Sequence, residues 1–348
     1  MWKARVLPAL AAAVLATVGL VATGGSASAA PLGSTVAVHG SAQGLTITHG
    51  QVRGGIVTFL VDTTNEQGSD IAMFSPAPGK SVDNVLADLR DVFSEDPHTA
   101  AQGTRELVDD ARIFGLAGVG KGTPVMVTEQ LAAGNYYLFD LNPVFAGAAP
   151  TLTTLQVSGP GGTPTNVLPP GISSLFRGLL PFALLHSLFP GYPTIRNPGA
   201  LFPVPGAFSL PGAFSLPGTR TPYGLVGRHP IVKLTSDDRF DSSDVLPASG
   251  TITVRNTSDT LHFMSVSPVK PGTTDDDIQH FFQSNDQGEP PFALDGPSIE
   301  MGVLSPGGHA DITYTLPAGT YVLECFIPDD QTGMPHAVMG MHKVVTLQ

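Results

Sequence analysis

The sequence predicts an all-β protein of two β-sandwiches, each with one short helix, joined by a linker rich in proline and glycine. Three observations lead to this fold class. Short segments of alternating apolar and polar residues recur along the chain. The two ends of the chain carry similar motifs in the same order. A stretch of different composition separates them.

The predicted strands are clearest in the second half of the chain. Residues 251–256 (TITVRN), 310–316 and 321–326 alternate between apolar and polar side chains, and residues 342–347 form a closing strand. Gly, Pro, Asn and Asp separate these segments, as expected of the turns in a β-sandwich.

An internal repeat relates the two halves. Residues 131–140 (LAAGNYYLFD) and 316–325 (LPAGTYVLEC) align without gaps. The repeat indicates one fold used twice, in domains that span residues 30–157 and 223–348. The linker between them spans residues 158–222.

One helix is predicted in each half, at residues 81–93 and 274–283. Ser81 and Thr274 stand at the helix starts, where a hydroxyl oxygen can accept a free backbone N–H. Acidic residues follow both, which suits the positive end of a helix dipole.

The composition excludes several classes of protein. Of 348 residues, 42% are hydrophobic, which is enough for packed cores and excludes disorder throughout. The net charge is −12, which argues against nucleic acid and against an anionic membrane surface as partners. An acidic surface would attract cations or basic proteins as partners. The single cysteine excludes an intramolecular disulfide.

Residues 1–29 have the pattern of a secretory signal peptide. Lys3 and Arg5 precede an apolar run, and the small residues Ala27-Ser28-Ala29 form a cleavage site, with cleavage expected after Ala29. No other stretch of 18 or more apolar residues is present, so we expect no transmembrane segment after cleavage. The predicted location is extracellular, secreted or associated with the cell surface.

The linker is both proline-rich and apolar. It holds 13 Pro and 10 Gly and no acidic residue, so no long helix or central strand is expected. Residues 175–189 are apolar enough for one short helix. This helix either packs on a neighbouring domain or contacts the cell surface or a partner.

The residues that carry chemistry follow the predicted strand at 321–326. Cys325 ends that strand, and His336 and Met341 follow after a loop. His262 comes directly after another strand. Two imidazoles, one thiolate and one thioether form a soft donor set that selects copper, with a weak axial methionine.

These motifs resemble the cupredoxins, the blue (type 1) copper proteins. The segment Met334-Pro-His336-Ala-Val-Met339-Gly340-Met341, after a strand that contains Tyr and ends in Cys, is most similar to the type 1 copper domain of the copper nitrite reductases. The resemblance covers residues 223–348. It implies a Greek-key sandwich and electron transfer. It also implies His262 and His336 as equatorial copper ligands, Cys325 as the thiolate and Met341 as the axial ligand.

The chain departs from that family in two respects. Ten residues separate Cys325 from His336, a longer loop than in the small electron carriers. The copper enzymes of the family have a histidine beside the cysteine, whereas here the neighbours are Glu324 and Phe326, and the chain has no His-x-His pair. We therefore expect no oxidase or nitrite reductase activity.

The first half lacks the predicted ligands. Asp140 stands where Cys325 stands, the region of Asp70 and Ile71 corresponds to His262, and residues 141–157 contain no His or Met. We expect a degenerate cupredoxin-like sandwich without copper.

The leading hypothesis is a secreted mononuclear copper protein that transfers single electrons. The alternatives are a copper carrier or buffer without redox function, and a metal-free structural or interaction module. No hydrolase or phosphate-binding motif is present. We also expect His336 to lie at the exposed rim, with the long loop easing its release from the metal.

Overall fold

The computed structural model describes residues 33–145, 148–159, 229–284 and 290–348. The predicted signal peptide and the apolar stretch at 175–189 lie outside the described residues, as does nearly all of the predicted linker. No helix in the described ranges is long and apolar enough to cross a membrane.

The first half contains strands and helices in the following order: β1 (Ser34–Ser41), β2 (Gly44–His49), β3 (Gly55–Thr63), β4 (Ser69–Pro76), α1 (Val82–Val92), α2 (Pro97–Asp110), β5 (Ala111–Phe114), β6 (Ala117–Val119), β7 (Val125–Leu131), β8 (Gly134–Asp140), α3 (Asn142–Phe145) and β9 (Thr153–Val157).

The second half repeats this order with small variations: β10 (Ile231–Leu234), β11 (Phe240–Asp241), β12 (Val245–Leu246), β13 (Ser249–Asn256), β14 (His262–Pro268), α4 (Asp275–Gln283), β15 (Ile299–Leu304), β16 (His309–Thr315), β17 (Gly319–Glu324), α5 (His336–Met339) and β18 (His342–Leu347).

The strands form two large sheets that both halves share. One sheet has the order β11-β10-β13-β16-β7-β3-β1-β2, and the other has the order β12-β18-β17-β14-β15-β6-β4-β8-β9, with β5 pairing β4 outside that order. Strands β16 and β7 pair across the halves in one sheet, and β15 and β6 pair in the other. The sequence predicts a mostly β sandwich fold, which the structure confirms, but it does not predict these shared sheets.

The apolar core is continuous between the halves. Fully buried side chains such as Phe59 and Leu138 in the first half belong to the same cluster as Ile252 and Leu323 in the second. The strands alternate buried and exposed residues. In β3, the buried residues are Val57, Phe59 and Val61. Alternation with a period of two places one face of each sheet on this core.

The internal repeat is visible in local contacts. The Tyr136 hydroxyl donates to the Ala132 carbonyl at 2.8 Å, and the Tyr321 hydroxyl donates to the Pro317 carbonyl at 3.0 Å. Both predicted helix starts are capped as expected, since Ser81 and Thr274 each form a capping box with the third residue of the helix.

The structure has more helices than the one per half that the sequence predicts, since each half also has a four-residue helix, α3 or α5. A second long helix, α2, follows α1 directly. The Asp96 carboxylate caps it by accepting the Thr99 N–H at 2.8 Å, and Pro97 occupies its first turn. An N-cap Asp followed by Pro is a helix-start signal in its own right, and it was present in the sequence.

Candidate metal centre

Neighbouring strands bring His262 and Cys325 to the same end of a sheet. His262 is the first residue of β14, and Cys325 directly follows the last residue of β17. These strands pair antiparallel with Ser265 opposite Glu324. The start of one strand therefore lies beside the end of the other, where the chain leaves the sheet.

The ten-residue loop after Cys325 folds back on itself and returns His336 to the cysteine. The His336 N–H donates to the Ile327 carbonyl at 3.0 Å, and the Ala337 N–H donates to the Cys325 carbonyl at 2.7 Å. Pro328 and Pro335 face each other in an isolated bridge. The length of the loop is therefore compatible with a compact site.

Asp329 organises the turn of this loop. Its carboxylate accepts the Thr332 N–H at 2.7 Å and the Thr332 hydroxyl at 2.6 Å. Helix α2 of the first half closes over the loop, since the Thr104 hydroxyl donates to the Pro328 carbonyl at 3.0 Å. A loop that would be mobile in isolation is thus fixed by its own hydrogen bonds and by the other half of the chain.

Three of the four predicted ligands converge. Nδ1 of His262 lies 3.8 Å and Nδ1 of His336 lies 3.6 Å from Sγ of Cys325. The two ring centroids are 4.6 Å apart. With bonds of about 2.0–2.1 Å to nitrogen and about 2.3 Å to sulfur, donors around one metal ion are separated by roughly 3.5–3.8 Å. The donor set and its spacing fit a copper ion held by two imidazoles and a thiolate.

Met341 lies beside the other three residues. Its side chain is fully buried. Its backbone N–H donates to the His336 carbonyl at 2.8 Å, and its carbonyl accepts the Cys325 N–H at 3.3 Å. These two bonds place Met341 next to both residues, whereas Met334 is exposed and Met339 is only half-buried.

Burial sets the protonation of the three donor side chains. It raises the pKa of the Cys325 thiol to about 12. It lowers the pKa of His336 to about 4, and burial together with His336 lowers the pKa of His262 to about 3. Both imidazoles are therefore neutral at physiological pH and available as ligands, and metal binding releases the thiol proton.

The expectation that His336 lies at an exposed rim is wrong. Its exposed fraction is 0%. The loop that carries it is covered by α2, and Asp238 and Asp329 lie beside its ring. The sequence could not show this covering, because α2 and Asp238 are distant from His336 along the chain.

Asp238 is a residue of the site that no sequence pattern predicted. Its Oδ1 lies 3.9 Å from Nε2 of His262 and 3.7 Å from Nε2 of His336. It belongs to the turn between β10 and β11, and its φ of 53° is in the left-handed region. No motif marked this aspartate in the sequence, since it is one of several acidic residues in an ordinary turn.

The corresponding position in the first half holds carboxylates. The Asp70 N–H donates to the Asp140 carboxylate at 3.3 Å, just as the Phe263 N–H donates to Sγ of Cys325 at 3.5 Å. Burial, and then repulsion by Asp140, raises the pKa of Asp70 to about 7. The structure therefore places Asp140 where the second half has its cysteine.

The sequence matches no family model. It also matches none of the curated proteins with which it was compared.

Among solved structures, the chain is similar to several copper proteins. Auracyanin from Roseiflexus castenholzii is 22% identical, over 34% of this chain and 94% of that protein, with a TM-score of 0.22. Auracyanin A of Chloroflexus aurantiacus, a "blue" copper protein, is 16% identical, over 34% and 96%, with a TM-score of 0.22. The copper nitrite reductase of Nitrosomonas europaea is 9% identical, over 90% and 93%, with a TM-score of 0.20.

Proposed function

We propose that this chain is an exported copper protein that transfers single electrons through one mononuclear site. The proposed ligands are the four buried residues at the end of the β14–β17 pair: His262, Cys325, His336 and Met341. Copper, when bound, supplies the one-electron couple between its +1 and +2 states. The amino-terminal signal pattern supports export.

The observation that carries the proposal is the convergence of two imidazole Nδ1 atoms on one buried thiol. Sulfur and nitrogen donors at these distances suit copper in both oxidation states, because neither state demands a large rearrangement. The surrounding strands and the loop of residues 326–335 (the ligand loop) hold the donors in place before the metal binds. A site that is already arranged favours rapid electron exchange.

The same geometry disfavours a metal-free role. Nε2 of His262 and Nε2 of His336 are buried and have no hydrogen-bond partner among the described residues. Burying polar groups without partners costs free energy. A purely structural core would place apolar side chains at these positions at lower cost.

The burial of the site also disfavours a copper carrier or buffer. A carrier must accept and release its metal, and exposed donors make this fast. Here all four proposed ligands are fully buried. The exposed Met334 and half-buried Met339, which would assist capture, lie outside this group.

We further propose a basic redox partner. Three carboxylates lie on the loops around the site. Asp237 and Asp259 are exposed, and Asp330 is partly exposed. Carboxylates arranged around an electron-transfer site would steer a positively charged partner, with a strong dependence on ionic strength.

A visible spectrum of the copper-loaded protein tests this function. We expect one copper per chain and an intense visible band from the Cu–thiolate bond. Cys325→Ser should abolish the band and most of the copper affinity, while Ser267→Ala, on the same strand pair, should leave both unchanged. A colourless copper complex, or a Cys325→Ser protein that keeps the band, would contradict the assignment.

A further inference from the structure

The histidine pair has a second side that faces away from the cysteine. Each ring directs Nδ1 towards Sγ of Cys325 and Nε2 towards Asp238. Both Nε2 atoms are buried. Asp238 Oδ1 is a few tenths of an ångström beyond hydrogen-bond distance from each of them, at 3.9 and 3.7 Å.

The chemistry of imidazole explains why a carboxylate would lie beside both Nε2 atoms. A neutral histidine that binds metal through Nδ1 carries its proton on Nε2. That proton needs an acceptor, and the acceptor fixes both the tautomer and the plane of the ring. One carboxylate oxygen between two Nε2 atoms can serve both rings, because a carboxylate oxygen accepts more than one hydrogen bond.

The backbone at Asp238 shows that its position is specific. Asp238 is the only non-glycine residue with a positive φ among the described residues. The Asp238 N–H donates to the Thr235 carbonyl at 3.1 Å, which closes a tight turn between β10 and β11. Glycine would adopt this turn without strain. A carboxylate at a strained position, pointing at two unpartnered imidazoles, indicates a requirement for that side chain.

We propose that Asp238 is a positioning residue for the metal site. Its carboxylate accepts the Nε2–H of both His262 and His336, holds the two rings in their ligating orientation, and places a negative charge that favours the oxidised metal. This inference rests on the proposed function, since it assigns the histidines as ligands.

Two substitutions separate positioning from a role in the turn. Asp238→Asn keeps an acceptor oxygen and tolerates the left-handed backbone but removes the charge. Asp238→Gly removes the acceptor and relieves the backbone. Asp237→Asn removes one charge from the adjacent exposed position, and it serves as the control for a general electrostatic effect.

The measurements are copper affinity, reduction potential and the thermal stability of the metal-free protein. We expect Asp238→Asn to raise the potential more than Asp237→Asn does, because the lost charge is closer to the metal. We expect Asp238→Gly to weaken copper binding at least tenfold while the metal-free protein melts at the same or a higher temperature. Unchanged copper affinity in Asp238→Gly, or equal potentials in the two asparagine variants, would overturn the proposal.

A readout without copper distinguishes this proposal from the proposed function. In nitrogen NMR spectra of the metal-free protein, both rings should be in the Nε2–H tautomer in the unsubstituted chain and in mixed tautomers in Asp238→Gly. If the protein bound no copper but showed this change, the proposed function would fail, while the contact by which Asp238 fixes the tautomers of both rings would stand. A second copper ion that is lost in both Asp238→Gly and Asp329→Asn would overturn the positioning role, since Asp238, Asp329 and His336 would then form a second site.

Discussion

At the scale of single residues, Met341 is the proposed ligand whose removal should change the electronics of the site and leave the metal in place. The axial thioether is a weak donor that tunes the potential. Leucine has a similar volume, so Met341→Leu should change stability by less than about 1.5 kcal/mol. We expect copper to stay bound and the reduction potential to rise, measured by redox titration of the copper-loaded protein.

Met334→Leu is the matched control for this prediction. It makes the same chemical change on an exposed side chain of the loop that precedes His336. The potential of this variant should equal that of the unsubstituted protein. A potential that responds to Met334 and not to Met341 would show that the axial position was assigned to the wrong methionine.

The sequence predicted the donor residues but not their surroundings. Cys325, His336 and Met341 follow one strand at family-like spacing, so their order along the chain was informative. Helix α2 contacts the loop before His336, and Asp238 lies beside the His336 ring, and both reach the site only through the fold. Tertiary contacts of this kind leave no periodic or local pattern, and the expected exposure of His336 was therefore wrong.

At the scale of elements, the contact between α2 and the ligand loop fixes the site from outside. Gly333 has a φ of 70°, and an added Cβ would clash with the Pro97 carbonyl oxygen. Alanine there must both strain the backbone and push the loop away from the helix. We expect Gly333→Ala to weaken copper binding and to lower the free energy of unfolding, measured by denaturant titration.

Gly307→Ala isolates the backbone contribution. Gly307 has the same φ of 70°, but an added Cβ would have no atom within 4 Å. The left-handed conformation alone costs roughly 1–2 kcal/mol, and overpacking adds about 1–3 kcal/mol. Gly333→Ala should therefore be the more destabilising variant, and only it should alter the visible spectrum. Equal effects in the two variants would show that α2 does not hold the loop.

The elements themselves were predicted unevenly. The helix starts at Ser81 and Thr274 were found because their capping residues are local signals. Helix α2 is absent from the prediction, although Asp96 and Pro97 mark its start. Helix α2 covers the loop after Cys325, so the length of that loop, on which the expectation of easy release rests, does not determine its mobility.

At the scale of the whole molecule, the two halves are joined with near-twofold symmetry. Strand β7 pairs with its counterpart β16, and β6 pairs with its counterpart β15. The halves thus meet as two copies of one fold would meet in a symmetric dimer. The repeat was evident in the sequence. The junction was not, because β6 has only three residues and its edge carries no distinctive pattern.

The junction contains buried carboxylates from both halves. Asp70 on β4 and Glu300 on β15 both lie opposite Gly118, which is on β6 between them. The side chains of both are more than nine-tenths buried. Burial, and then Asp140, raises the pKa of Asp70 to about 7, while burial and then Asp70 raise the pKa of Glu300 well above its usual value. The two acids therefore keep protons in the folded state that they lose when the chain unfolds.

This proton difference predicts that the junction is weakened as the pH rises. A carboxyl whose pKa is raised by folding stabilises the folded state fully below its unfolded pKa of about 4, and this contribution is lost as the pH rises through the folded value of about 7. A folded pKa that lies one pH unit above the unfolded pKa corresponds to about 1.4 kcal/mol, so the loss is on the order of a few kcal/mol.

Asp70→Asn tests this prediction, because asparagine cannot ionise. It should therefore be more stable than the unsubstituted protein at pH 8 and lose most of that advantage at pH 5. Melting temperatures of the metal-free proteins between pH 5 and pH 8 test this, with Asp109→Asn, an exposed carboxylate on α2, as the control that should follow the unsubstituted protein. Parallel pH curves for Asp70→Asn and Asp109→Asn would show that Asp70 does not hold a proton at the junction.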